Sequence, residues 1–317
     1  VMNFDQKVFF NSKFPNTPEG CEDIIQKIQE IYRQFYFDKV IIVCESTGVY
    51  SFHFANYFSS HEVLNNFNTE VFCINAHDSE KYRKSFNDIE KTDPSDAYVL
   101  ADFARVGRTR NLNPFRGSQF LALQRLTRMR YHLIQNLTRE KLYVINNLYL
   151  CFSGLVVADK KDKPFSDMFS ATSCEVLDHF ESLDQIANTP IDELTDFISR
   201  AGKNRFKNPS DNANRLDKVA YDGLNIAIAS SLSVIKCLEK EIKVLDEAIL
   251  NTVKGVSPDA YKILLSIRGI GPVYAAGILA EIGSVNFFPR EEKLAKYAGF
   301  YWKRSQSGNF EKEDTKF

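Results

Sequence analysis

The rhythm of apolar and polar positions changes along the chain. Over the first hundred residues, short apolar runs alternate with amphipathic stretches. Lys7 to Phe14 reads as a strand. Thr17-Pro18-Glu19 then opens a helix, with Thr17 as cap and Pro18 at the first position. Its predicted apolar face is Ile24, Ile28, Ile31 and Phe35. Lys39 to Cys44 (KVIIVC) is a short β-branched run, the pattern of a buried parallel strand. Val49 to Phe58 reads as helix, Glu70 to Ile74 as strand, and Pro94 to about Val106 as helix. This alternation predicts an α/β domain.

From Arg105 the strand signals stop. A long helix is predicted from about Ser118 to Leu150, and Asn204 to Asn214 reads as a polar loop. After it Ile228, Leu232, Ile235, Leu238, Ile242, Leu245 and Ile249 recur at spacings of 4, 3, 3, 4, 3 and 4, a heptad seam of coiled-coil character. The seam has two possible partners, the basic helix of its own chain or a second protomer. The pattern thus predicts an α/β domain over 1–110, a helical and coiled-coil region over 111–255, and a further domain over 256–317.

Composition narrows the classes. With 317 residues, 44% hydrophobic and 26% charged, the chain can bury a core. A wholly disordered chain, a collagen-like repeat and a small disulfide scaffold are excluded. No apolar run approaches the roughly 18 residues of a membrane helix. Cys21, Cys44, Cys73, Cys151, Cys174 and Cys237 form no CxxC or CxH pair, which argues against structural zinc. Most lie in apolar runs, as reduced thiols of a cytoplasmic chain do. The five histidines do not cluster. A metal would therefore be held by carboxylates, which favours hard ions such as magnesium.

The formal net charge of -1 conceals two opposed blocks, +8 over residues 105–141 and -8 over 165–199. The basic block is either a solvated helix face paired with the acidic one or a phosphate-binding surface. Arginine supplies eight of its nine cations, and the guanidinium fork suits phosphate. Arg116, Arg125, Arg128 and Arg130 are the candidate contacts. The interleaved Phe115, Phe120 and Tyr131 read as core.

Two acidic sites stand out. Glu45 directly follows the KVIIVC strand, at the carboxyl end where α/β folds place their ligands. It is either a solvated or capping acid, or one that meets a metal, a cation or hydrogen-bond donors. In Lys91-Thr92-Asp93-Pro94-Ser95-Asp96-Ala97, Asp93 can cap a helix and Asp96 can sit at its third position. The same helix end can offer both carboxylates to a divalent metal shared with Glu45. Farther on, Gly269 and Gly271 in Ile267-Arg268-Gly269-Ile270-Gly271-Pro272 allow a tight turn between helices. That turn is a plain connection or a helix-hairpin-helix element whose amides suit a phosphate. The closing segment sets Lys303 and Arg304 beside Ser305, Gln306, Ser307 and Gly308.

In combination these stretches resemble one family, the DEDD-type transposases of the insertion-sequence one-ten family, the RNA-guided bridge recombinases. The residues that carry the resemblance are Glu45-Ser-Thr-Gly-Val-Tyr, Lys91-Thr-Asp-Pro-Ser-Asp-Ala, Gly269-Ile-Gly-Pro, and Tyr297-Ala-Gly-Phe through Gln306-Ser307-Gly308. The resemblance implies a RuvC-like, ribonuclease-H-type domain, then a helical region, then a transposase domain with a serine nucleophile. It implies Glu45, Asp93 and Asp96 as ligands of divalent metal, Mg2+, and as the last three letters of DEDD. It implies Ser307, rather than Ser305, as the residue that attacks a DNA phosphodiester. It further implies a structured guide RNA, donor and target DNA, and a homo-oligomer, with no membrane. The family's first Asp lies on an opening strand that this sequence does not match, and Asp5 falls in the hairpin after it. A chain truncated at both ends is the expectation. Two other functions stay open at this point: a RuvC-like metal-dependent DNA nuclease, and a non-catalytic nucleic-acid-binding remnant.

Overall fold

The structure is a computed structural model. It describes residues 1–86, 90–151, 165, 167–179, 185, 188–202, 224–285, 288, 290–300, 305–307 and 310–312. The polar loop read at Asn204–Asn214 lies outside the described residues, as do Lys303, Arg304 and Gly308. The backbone forms two compact units, one of residues 1–122 with 278–317 and one of 123–277. The divisions between the units fall at 122 and 277. The long helix continues smoothly through the first, and the last forty residues return to the first unit.

In the first unit, α1 (Pro18–Gln34) begins as its sequence dictates: the Thr17 side chain accepts from the Gly20 amide and Pro18 opens the first turn. Its buried face is Cys21, Ile25 and Ile28, with Ile24 half-buried and Phe35 exposed beyond the helix end. β1 (Ile41–Glu45) and β2 (Glu70–Ile74) pair in parallel, Ile41 opposite Glu70 through Glu45 opposite Ile74. α2 (Tyr50–Ser60) and the short α3 (Glu62–Asn65) make the crossover that parallel strands require. β1 is only partly buried, not the fully buried strand its composition suggested, because among the described residues its sheet has two strands. α4 (Ala76–Arg83) and α5 (Asp93–Arg105) follow.

One core layer joins α1, α2, α3 and the sheet through Ile25, Phe58, Leu64 and Val71. The other joins the sheet to α5 through Val43, Ile74, Val99 and Phe103. The strand read over Lys7–Phe14 does not form. Residues 1–9 instead make a tight turn with one antiparallel bridge, Met2 to Val8, in which the Asn3 amide donates to the Lys7 carbonyl. Asp5 lies in that turn.

In the second unit, α6 (Ser118–Cys151) is followed by α7 (Ala171–His179), α8 (Ile191–Ala201), α9 (Leu224–Val256) and α10 (Pro258–Ser266). α11 (Pro272–Ile282) leads back to the first unit. The heptad seam finds its partner in its own chain. Ile228, Leu232 and Ile235 of α9 are buried with Val144 and Leu148 of α6, together with Val176, Leu194 and Ile198. Two ion pairs set the direction, Arg130 to Asp246 and Lys141 to Glu239. Lys141 follows Arg130 along α6 while Glu239 precedes Asp246 along α9, so the helices run antiparallel. The basic helix thus pairs with acids of α9 at these two positions.

Beyond α11 come α12 (Glu291–Tyr297) and an antiparallel pair, β3 (Ser305–Ser307) with β4 (Phe310–Lys312). Among the described residues no helix is long and apolar enough to cross a membrane.

Candidate active site and nucleic-acid surface

Glu45 is the last residue of β1 and half-buried. The ladder continues one step past it, where the Ser46 amide donates to the Ile74 carbonyl at 2.7 Å. The chain then turns into α2 through Gly48, whose φ of 62° is in the left-handed region that glycine tolerates. Glu45 is therefore held on a rigid strand end rather than on the loop.

α5 packs against β1 and begins beside an N-terminal strap: the Asn11 side-chain amide donates to the Pro94 carbonyl at 3.2 Å. The cap of α5 differs from the sequence reading. Thr92, not Asp93, is the N-cap, and it forms a capping box with Ser95. The Ser95 hydroxyl accepts from the Thr92 amide at 3.0 Å and Thr92 Oγ1 accepts from the Ser95 amide at 3.4 Å. The cap therefore does not draw on either carboxylate. Asp93 pairs with Lys13 at 3.2 Å, with side chains 80% and 85% exposed for Lys and Asp, a pair that solvent leaves weak. Asp96 is half-buried, one turn before the buried Val99 on the same side of the helix. The donor set has the chemistry of a hard-cation site. Among the described residues, however, no three His, Cys, Asp or Glu side chains converge closely enough to hold a metal ion.

Two groups near this end of the sheet escaped the sequence reading. Cys44 and Cys73 stand in register on β1 and β2, and the Cys44 thiol donates to the Cys73 sulfur at 3.5 Å. That bond and burial raise the Cys44 thiol, and the same bond lowers Cys73. The signal was present, since each is the fourth residue of its strand. The second group centres on Asp102 of α5, 3% exposed. Its carboxylate accepts from the Tyr82 hydroxyl at 2.6 Å and from Arg105 Nε at 2.7 Å, while the Arg108 guanidinium lies over the Tyr82 ring. Burial pushes Asp102 up, but these bonds outweigh it and its pKa is lowered. Burial, then the bond to Asp102, pushes Tyr82 up to about 12.

The arginines divide. Arg116 is half-buried and donates to the Glu281 carbonyl at the end of α11 at 3.3 Å; burial lowers its guanidinium. Gly283, at φ 73°, lies directly against that guanidinium, so a Cβ there collides with it. Arg116 is thus an internal anchor. Gly283→Ala is expected to cost about 1–2 kcal/mol from backbone strain alone, measured by urea unfolding. Arg130 is engaged by Asp246. Arg125 and Arg128 are exposed on α6, on a face that also exposes Tyr131, His132 and Arg139.

The turn from α10 to α11 holds Gly269 at φ 96° and exposed. The Gly271 carbonyl accepts the Ala275 amide as α11 begins. A Cβ at either glycine meets nothing within 4 Å, so conformation rather than packing calls for glycine at 269. Ser307 ends β3, its backbone in register with Phe310; the side chains of this hairpin lie outside the described residues, as do Lys303 and Arg304.

A small parallel sheet with an acid at its carboxyl edge, a helix packed on it and two carboxylates at the helix start make up an α/β domain. Residues 1–153 match the DEDD transposase model of the IS110 group, described as "Transposase". Residues 261–317 match "Transposase IS116/IS110/IS902 family". The chain belongs to the IS110 family of insertion-sequence transposases. Its enzymatic class is accordingly transposase or recombinase, and its substrate class is DNA. Among curated proteins none matches it.

Proposed function

We propose that this transposase cuts and rejoins DNA through Ser307, directed by a structured guide RNA, with Glu45, Asp93 and Asp96 as the carboxylates of a Mg2+ site in a RuvC-like domain. The observation that carries the reading is the division of labour at the start of α5. Thr92 and Ser95 make the capping box, so the cap uses neither Asp96 nor Asp93, whose exposed pair with Lys13 is weak, and the helix packs against the strand that ends in Glu45. Glu45, Asp93 and Asp96 would hold a hard divalent cation, which when bound would supply Lewis-acid stabilisation of phosphate charge. The carboxylates come from the same chain or from a second copy in a homo-oligomer.

The serine chemistry is a transesterification. Ser307 Oγ attacks phosphorus, its proton leaves to a base, the bond to a deoxyribose oxygen breaks, and that oxygen departs as a hydroxyl. The reverse attack by a DNA hydroxyl restores the serine and joins the new strand. Lys303 and Arg304 hold the scissile phosphate and offset charge on its oxygens. The amides around Gly269 and Gly271 take a further backbone phosphate, in the manner of a helix-hairpin-helix. Covalent capture tests the reading: the protein, its guide RNA and DNA carrying the element ends are combined with Mg2+, denatured, and examined for a phosphoserine adduct. Nicking without an adduct points instead to a water-activating nuclease.

RNA is assigned to the exposed face of α6. Arg125→Gln with Arg128→Gln is expected to lower RNA affinity about tenfold or more at moderate salt. It should also flatten the log K against log salt slope by about 1.5, measured by filter binding.

A further inference from the structure

Cys44 and Cys73 have no part in the chemistry described so far, yet their sulfurs are 3.5 Å apart on paired positions of β1 and β2. Paired residues in parallel strands project to the same face, so the approach is built into the register. Strands in one sheet lie about 4.8 Å apart, inside the Cα range of about 4.4–6.8 Å that a disulfide spans. Both residues are half-buried, open to a small reagent but packed at the margin of a hydrophobic cluster. Cys21, on the buried face of α1, has no such access.

We propose that Cys44 and Cys73 are a modification site at which a hydroperoxide converts the dithiol into an intrachain disulfide across β1 and β2, reversed by thiols. One cysteine sulfur attacks a peroxide oxygen. The O–O bond breaks, water or an alcohol leaves, and that cysteine becomes a sulfenic acid. The second sulfur then attacks the first; the S–S bond forms, the S–O bond breaks, and water leaves. The two thiols lose two electrons and two protons, and the peroxide is the species reduced. The neighbouring sulfur is close enough to intercept the sulfenic acid before further oxidation. The bridge forms one residue before the last register pair, Glu45 with Ile74, and so clamps the strand end that carries the acid.

The test uses the full chain. After stoichiometric hydrogen peroxide, the protein is alkylated, digested and analysed by mass spectrometry. The expected result is loss of alkylation at both Cys44 and Cys73 and a linked peptide pair lighter by two hydrogens, with both thiols restored by dithiothreitol. Cys44→Ser should leave a sulfenic acid at Cys73 that dimedone traps, and Cys73→Ser the converse. Phenylarsine oxide, which bridges closely spaced thiols, should protect both cysteines with no oxidant present. The proposal is overturned if both stay alkylatable under peroxide that oxidises the exposed Cys237. It is equally overturned if either reaches sulfinic acid without a cross-link, or if the linked peptides come only from disulfide-bonded dimers.

Discussion

Ser307→Ala is expected to reduce the covalent protein–DNA adduct at least about a thousandfold, since removing a nucleophile removes the whole covalent route. Ser305→Ala should retain it. The two positions lie on the same three-residue strand, β3, so loss of fold affects both alike and a difference between them reports chemistry. A serine hydroxyl needs activation at neutral pH. The five histidines all precede residue 180, which leaves no local histidine base for Ser307. The proposed carboxylate site is the alternative source of activation. Glu45→Gln should therefore also suppress the adduct, while RNA binding persists. An adduct that survives Ser307→Ala but not Ser305→Ala assigns the reaction to the other serine, and one that survives both removes serine from the mechanism.

Asp102→Ala is expected to destabilise the first unit by about 3 kcal/mol. Its carboxylate is buried and accepts from both Tyr82 and Arg105, so truncation leaves the Tyr82 hydroxyl and Arg105 Nε without their acceptor. The pH dependence follows from the lowered Asp102 pKa. Such a group contributes its stability above its unfolded value, about 4, and the contribution fades as pH falls through the lower folded value. Unfolding free energy should thus drop with acid below about pH 4, and Asp102→Ala should flatten that slope. Tyr82 acts at the other end: pushed up to about 12, it keeps its donor proton well above the range where an unfolded tyrosine titrates. Urea titrations between acid and neutral pH measure both the offset and the slope.

What could be read in advance was whatever rests on local chemistry. The Thr17–Pro18 start of α1 and the Glu70–Ile74 strand depend on neighbours in sequence, and both form as read. The start of α5 was read one residue late, because Asp93 and Thr92 are both good caps. The choice was made by Ser95, whose hydroxyl returns to the Thr92 amide. Lys7–Phe14 has strand composition, but a strand needs a ladder, and this segment finds only one bridge. Long-range pairings were the least legible. That Arg116 reaches the Glu281 carbonyl and Arg130 reaches Asp246 depends on contacts across 165 and 116 residues. A charge count weighs those arginines the same as the exposed Arg125 and Arg128. The carboxylates were singled out by their place at element ends, while Asp102, an acid inside a helix, carried no such mark.

The antiparallel pairing of α6 with α9 sets an order of events on the ribosome. Arg130 and Asp246 are 116 residues apart, which at about 5–20 residues per second is a delay on the order of ten seconds. For most of that interval, from the synthesis of Leu148 to that of Ile228, Val144 and Leu148 lack the α9 side chains that bury them. A nascent α6 is then a sticky, positively charged rod, and neighbouring chains on one message present identical rods. Slow translation between the two helices should therefore favour misassembly, and trigger factor-type holdases should raise the soluble yield of this protein more than they raise its refolding rate from urea.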